Sequence, residues 1–320
     1  MTSTLEKFLN LLKQKTPEGV NPVDMLINII PMSKEAAYRR LRGQIDFTFE
    51  DIVKIAQKLD ISLDSLIKTN NEKNAYQVNV TSIGNGDSFM DDYIKWGENA
   101  LDSLKKLRTN PNHYSLSIKN HVSILYLYKY KMISKLRLYK WMYQRNSNVK
   151  TIKLSEFIVA PRALTIEKMI WKELRQTRIF FIYSQELVKS LVDNINYFRN
   201  LNLLSKEECN QMIQETFMLL EDMEHDAILG KNQEMPCTIH VSNIKFDNDF
   251  TLWNSDNISI ITFRPFGVNH YSINDPRVIF EMENWVKMLL KTSTLISFSG
   301  EKKRIEFFQH QRNLLEILLK

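Results

Sequence analysis

Ser33-Lys-Glu-Ala-Ala-Tyr-Arg-Arg-Leu-Arg-Gly43 is the stretch on which the reading of the fold turns. Ser33 is of the type that caps a helix N-terminus, Ala37 and Leu41 fall one turn apart on one face, and Gly43 suits the left-handed residue that ends a helix. Lys34, Arg39, Arg40 and Arg42 stand against a single acid, Glu35, so the stretch has a local charge of +3. The remainder of the first 70 residues is slightly acidic, which makes this helix a basic island.

Working outward, Asn21-Pro22 with Asp24 begins a helix that carries Met25, Leu26, Ile29 and Ile30 and closes at Pro31, only a few residues before Ser33. Before it, Leu5, Phe8, Leu9 and Leu12 mark a first amphipathic helix, interrupted at Pro17 to Gly19. After it, Thr48 and Asp51 cap a fourth helix with Ile52, Ile55, Ala56 and Leu59, and Ser62 caps a fifth with Leu63, Leu66 and Ile67. Two helices joined by a tight turn, the second capped and basic, suit the major groove of DNA, which is about as wide as one helix.

These landmarks resemble the Cro-like, xenobiotic-response-element type of helix-turn-helix domain found in many bacterial repressors. Residues 33–43 look like that family's recognition helix, and Phe49 to Leu66 is similar to its fourth and fifth helices. The chain differs from the family at the Asn21-Pro22 start and in the turn, where Ile30-Pro31-Met32 replaces a small residue. The resemblance implies a DNA operator as partner. Ser33, Lys34, Glu35 and Ala36 would face base edges with Tyr38 and Arg39 alongside, and Arg40 and Arg42 would bind phosphates.

A chain of 320 residues suggests two domains, at roughly 100–200 residues each. With 43% apolar and 25% charged residues, both should be ordinary globular domains, and disordered, collagen-like and disulfide-scaffold classes are disfavoured. The organisation expected is a helix-turn-helix domain over 1–70, a polar linker over 71–87 and a larger α+β domain over 88–320. Helical patterns fall at 88–108, 121–145, 162–175, 184–201, 205–229, 276–292 and 300–319. Extended runs fall at 179–183, 238–246, 250–253, 258–263 and 268–273, with a short piece at 76–80. Four of the five longer runs cluster within 238–273 and predict an antiparallel sheet.

The net charge of +6, spread over 320 residues, permits an anionic partner without establishing one. The longest anomaly runs from Lys119 to Ser155, with nine Lys or Arg residues and no acid. Tyr126, Tyr128, Tyr130, Tyr139, Trp141 and Tyr143 interleave Lys129, Lys131, Arg137 and Lys140. Two readings stand: a second anion or nucleic-acid surface with stacking platforms, or a helix whose aromatics enter the core while its basic stems reach solvent.

Catalytic signatures are absent from the sequence: there is no GxSxG elbow, no phosphate loop with GK[ST] and no HExxH, and Gly84 with Gly86 forms only a lone GxG. Six scattered histidines read as structural, and Glu221, Asp222, Glu224, His225 and Asp226 lack metal-ligand spacing, so neither a metal nor a cofactor is expected. Ser299-Gly300 reads as the cap of the last helix. Cys209 and Cys237 are read as buried free thiols of a reducing cytoplasm, and no secretory signal or membrane span is visible. The expectation is a cytoplasmic, non-enzymatic transcription regulator that binds its operator as a homodimer and senses a small-molecule effector through its second domain. The alternative is an enzyme or defence effector acting on nucleic acid or nucleotide, with the first domain as its targeting module.

Overall fold

The computed structural model describes residues 4–17, 19–59, 61, 63, 78–81, 89–145, 152–247, 249–256, 258–266 and 269–317. The chain divides into two compact units, Met1–Gln77 and Val78–Lys320.

The first unit contains α1 (Thr4–Lys15), α2 (Pro22–Ile29), α3 (Lys34–Leu41) and α4 (Phe49–Leu59). Its core gathers Phe8, Leu9 and Leu12 from α1, Val23, Met25 and Leu26 from α2, Ala37 from α3, and Ile55 and Ala56 from α4. Phe47 closes one side of this core, edge-on to Phe8 at 5.5 Å between ring centroids. The fifth helix expected from Ser62 falls outside the described residues; Ile61, at its threshold, is buried in the same core.

Among the described residues, the second unit is built on a sheet of nine strands. Its strands are β1 (Asn79–Thr81), β2 (Tyr114–Lys119), β3 (Arg178–Tyr183), β4 (Lys231–Asn232), β5 (Met235–Ser242), β6 (Phe250–Asn254), β7 (Ser259–Phe266), β8 (Asn269–Ile273) and β9 (Ser293–Leu295). They run in the order β1-β8-β7-β6-β2-β3-β5-β4, and β9 pairs with β5. The helices are α5 (Phe89–Arg108), α6 (Ile124–Leu127), α7 (Lys131–Arg145), α8 (Pro161–Leu174), α9 (Lys189–Asn200), α10 (Lys206–Leu229), α11 (Pro276–Lys291) and α12 (Glu301–Glu316).

The sheet corrects the antiparallel expectation, because it is mixed. β6, β7 and β8 form the anticipated antiparallel meander, but β2, β3 and β5 are parallel neighbours. Helices carry the chain from β2 to β3 and from β3 to β5, as parallel pairing requires. The sheet is covered on both faces. Ile179, Phe181 and Tyr183 of β3 enter the large core shared with the helices from α5 to α10 and α12, whereas Ile182 enters a smaller core with Ile118, Phe250 and Ile261 under α11.

The pattern at 121–145 is likewise two helices rather than one. Ser123 caps α6, Tyr128–Tyr130 makes a turn, and the first turn of α7 donates the backbone N–H groups of Met132 and Ile133 to Glu215 Oε2 on α10, at 2.8 and 3.0 Å. A carboxylate from a distant helix thus does the work of a local cap. Among the described residues no helix is long and apolar enough to cross a membrane.

Candidate nucleic-acid interface

Local chemistry sets the geometry of α2 and α3. Asn21 Oδ1 accepts from Val23 N–H at 2.9 Å with Pro22 at the first helical position, and Ser33 Oγ accepts from Ala36 N–H at 3.2 Å. Between them Ile30 is extended, as a residue before proline should be, and its buried side chain anchors the turn where the Cro-like pattern has a small residue. At the far end of α3, Gly43 has φ 71°, its N–H bonds to Arg40 O, and Gln44 N–H bonds to Arg39 O, a paired closure that ends the helix.

Ala37 is the buried residue of α3, and Leu41 packs beside it. Glu35, Tyr38, Arg39 and Arg42 follow one another at i, i+3, i+4 and i+7, so they share the outward face, and all four are exposed. Arg39 and Arg42 make no ion pair among the described residues. Lys34 meets Asp24 of α2 at 3.1 Å, with both side chains largely in solvent, so its charge is released at little cost when a phosphate competes. Ser33 is committed to the cap, and Ala36 is half-buried.

Arg40, expected on phosphate, points inward. Its guanidinium lies 3.3 Å from Asp51 Oδ2 and 5.6 Å from the centroid of the Phe47 ring. The same Asp51 carboxylate accepts from Thr48 N–H, and Asp51 N–H bonds back to Thr48 Oγ1, so one group caps α4 and fastens it to α3. The exposed face therefore comprises Lys34, Glu35, Tyr38, Arg39 and Arg42.

The second set of basic residues does not form a comparable surface. Lys129 Nζ and the Tyr130 hydroxyl both reach Asp222 Oδ2 on α10, at 2.5 Å each. Arg137 enters a buried network: its Nη2 lies 2.7 Å from the Tyr93 hydroxyl and 3.0 Å from Glu167 Oε1, and Ser134 Oγ donates to Glu167 Oε2. Burial of the Tyr93 hydroxyl, the largest influence, pushes its pKa well above the usual phenol value. Lys131 is exposed, whereas Lys140 is half-buried and lines a cavity.

The aromatics are core residues, which corrects the stacking-platform reading: Tyr126, Tyr128, Tyr130, Tyr139 and Trp141 are all buried. The acidic run on α10 is engaged in structure too. Asp226 accepts from Tyr126 and Asn232, and Glu224 pairs with Arg312.

Residues 4–95 match the model of one protein family, the BetR domain, a helix-turn-helix-like DNA-binding domain of regulators. No curated protein and no solved structure matches the chain. The segment from α1 into the start of α5 is thus similar to a BetR domain, and the helix-turn-helix of α2 and α3 lies within it.

Proposed function

We propose that the protein is a sequence-specific, DNA-binding transcription regulator of one-component design. The outward face of α3 enters the major groove, and the second unit carries effector sensing or dimerisation rather than a catalytic step. The observation that carries the reading is the one-sided exposure of Glu35, Tyr38, Arg39 and Arg42 on a capped helix behind a tight turn, within residues matching a DNA-binding family. Arginine suits guanine N7/O6 and phosphate oxygens through charge-assisted bonds, and Glu35 can accept from cytosine N4.

A Cro-like mode of docking follows the resemblance of residues 33–43 and 49–66. It implies a cytoplasmic homodimer on half-sites about one DNA turn apart. The test is fluorescence anisotropy on DNA from upstream of the gene. Arg39→Ala should weaken binding by about 1–3 kcal/mol and relax preference at one base pair, whereas Arg42→Ala should lower affinity uniformly and reduce the salt slope by about one. Unchanged affinity in both variants across salt concentrations would remove α3 from the interface.

A further inference from the structure

A cavity of about 310 Å³ opens in the second unit where the chain leaves the carboxyl end of β2, beside α7 and α9. Asn120 and His121, directly after β2, form one wall, α7 contributes Arg137, Lys140 and Gln144, α9 contributes Ser190 and Asn194, and Arg264 reaches in from β7. Crevices at the carboxyl ends of parallel strands are where open α/β sheets hold their ligands. No Asp or Glu lines this one.

The charges around it do not balance. Arg137 is neutralised by Glu167 at 3.0 Å. Lys119 and His121 share Asp249, at 3.7 and 2.6 Å, and that carboxylate is therefore engaged. Lys140 and Arg264 have no ion pair and no hydrogen bond among the described residues. Burial lowers the pKa of both; Arg264 also feels the like charge of Arg137 and, against it, the carboxylate of Asp249, which Lys119 and His121 already hold directly. Asn194 and Gln144 also make no hydrogen bond among the described residues.

We propose that this cavity binds a small phosphate monoester, with Lys140 and Arg264 holding the phosphate and the side-chain amides of Asn194 and Gln144 reaching polar groups of its organic body. Two cations without a direct ion pair among the described residues match the dianion of a phosphate monoester, and the planar guanidinium fork suits two of its oxygens. The volume lies at the lower end of the roughly 300–1,000 Å³ of small-molecule sites, which fits a sugar phosphate or a mononucleotide better than a dinucleotide. The role of this ligand as the effector rests on the regulator reading above; its binding does not.

The experiment is isothermal titration of the full chain, without DNA, with ribose 5-phosphate, adenosine 5′-monophosphate and succinate in separate runs. One phosphate ester should bind at one per chain, and K140Q and R264Q should each weaken it by about tenfold or more, while K302Q, on the exposed face of α12, leaves it unchanged. Melting curves establish that each variant is folded; Lys140 is half-exposed, so K140Q keeps the test sound if R264Q does not fold. Absence of binding by both esters at millimolar concentration, binding that neither variant weakens, or equally tight binding of succinate would each overturn the proposal. Since no DNA is present, such a failure is separate from any failure of operator binding.

Discussion

Adjacent arginines on α3 face opposite ways, and the difference is energetic as well as geometric. Arg39 stands in solvent, whereas Arg40 is held between Asp51 and the Phe47 ring. Arg40→Ala should destabilise the first unit by about 1–3 kcal/mol, because it leaves the buried Asp51 without its cation and loosens α3 from α4. Arg39→Ala should stay within about 0.5 kcal/mol of the parent in the same thermal melt. Equal melting of the two variants would show that Arg40 has no structural role.

In the second unit, burial alone would raise the pKa of Asp249, but the His121 hydrogen bond and the charges of His121, Lys119 and Arg264 outweigh it and bring it to about 2. A carboxylate whose folded pKa is depressed stabilises the fold above its unfolded value of 3.8, and that contribution fades as pH falls toward 2. It amounts to about 2 kcal/mol. Denaturant unfolding at a series of pH values should show this acid loss in the parent and a flatter profile in Asp249→Asn; parallel profiles would contradict the assignment.

Among the elements, α7 depends on a partner far away in sequence. Glu215→Ala should cost about 1–2 kcal/mol by orphaning two backbone donors at its first turn, read as a lowered denaturation midpoint, and no change in midpoint would mean that water replaces the carboxylate freely. That distance explains what the sequence could and could not disclose. Helices with local caps were legible: Asn21-Pro22, Ser33 and Thr48 with Asp51 all begin helices where their residue types indicate. The break between α6 and α7 was not, since its cap comes from α10. β2 was hidden for another reason. Its alternation of Ser115, Ser117 and Lys119 with Leu116 and Ile118 reads as one wet face, yet all three polar residues are buried, and without β2 nothing joins the parallel strands to the antiparallel meander. The buried Ala37 and Leu41 side of α3 followed from periodicity, and the residues opposite it from the resemblance. The inward turn of Arg40 did not, because Phe47 and Asp51 lie beyond the helix that carries it, and a lone Arg264 in a strand gave no hint of the cavity it lines.

At the scale of the whole molecule, the chain joins a small helical unit, matched by a DNA-binding family, to a mixed-sheet unit more than twice its size. The proposed division of labour puts base reading in Met1–Gln77 and control in Val78–Lys320. It places the sequence-selective surface on α3 and none on the basic residues between Lys119 and Lys153, whose side chains include Arg137 in a buried ion pair and Lys129 bound to Asp222. The most direct measurement is salt-titrated binding of the full chain and of residues 78–320 to DNA from upstream of the gene. The full chain should bind saturably and sequence-selectively, with affinity that falls steeply with salt, and the fragment should not bind. Binding that the fragment retains undiminished would contradict this division of labour and would move the nucleic-acid surface to the second unit.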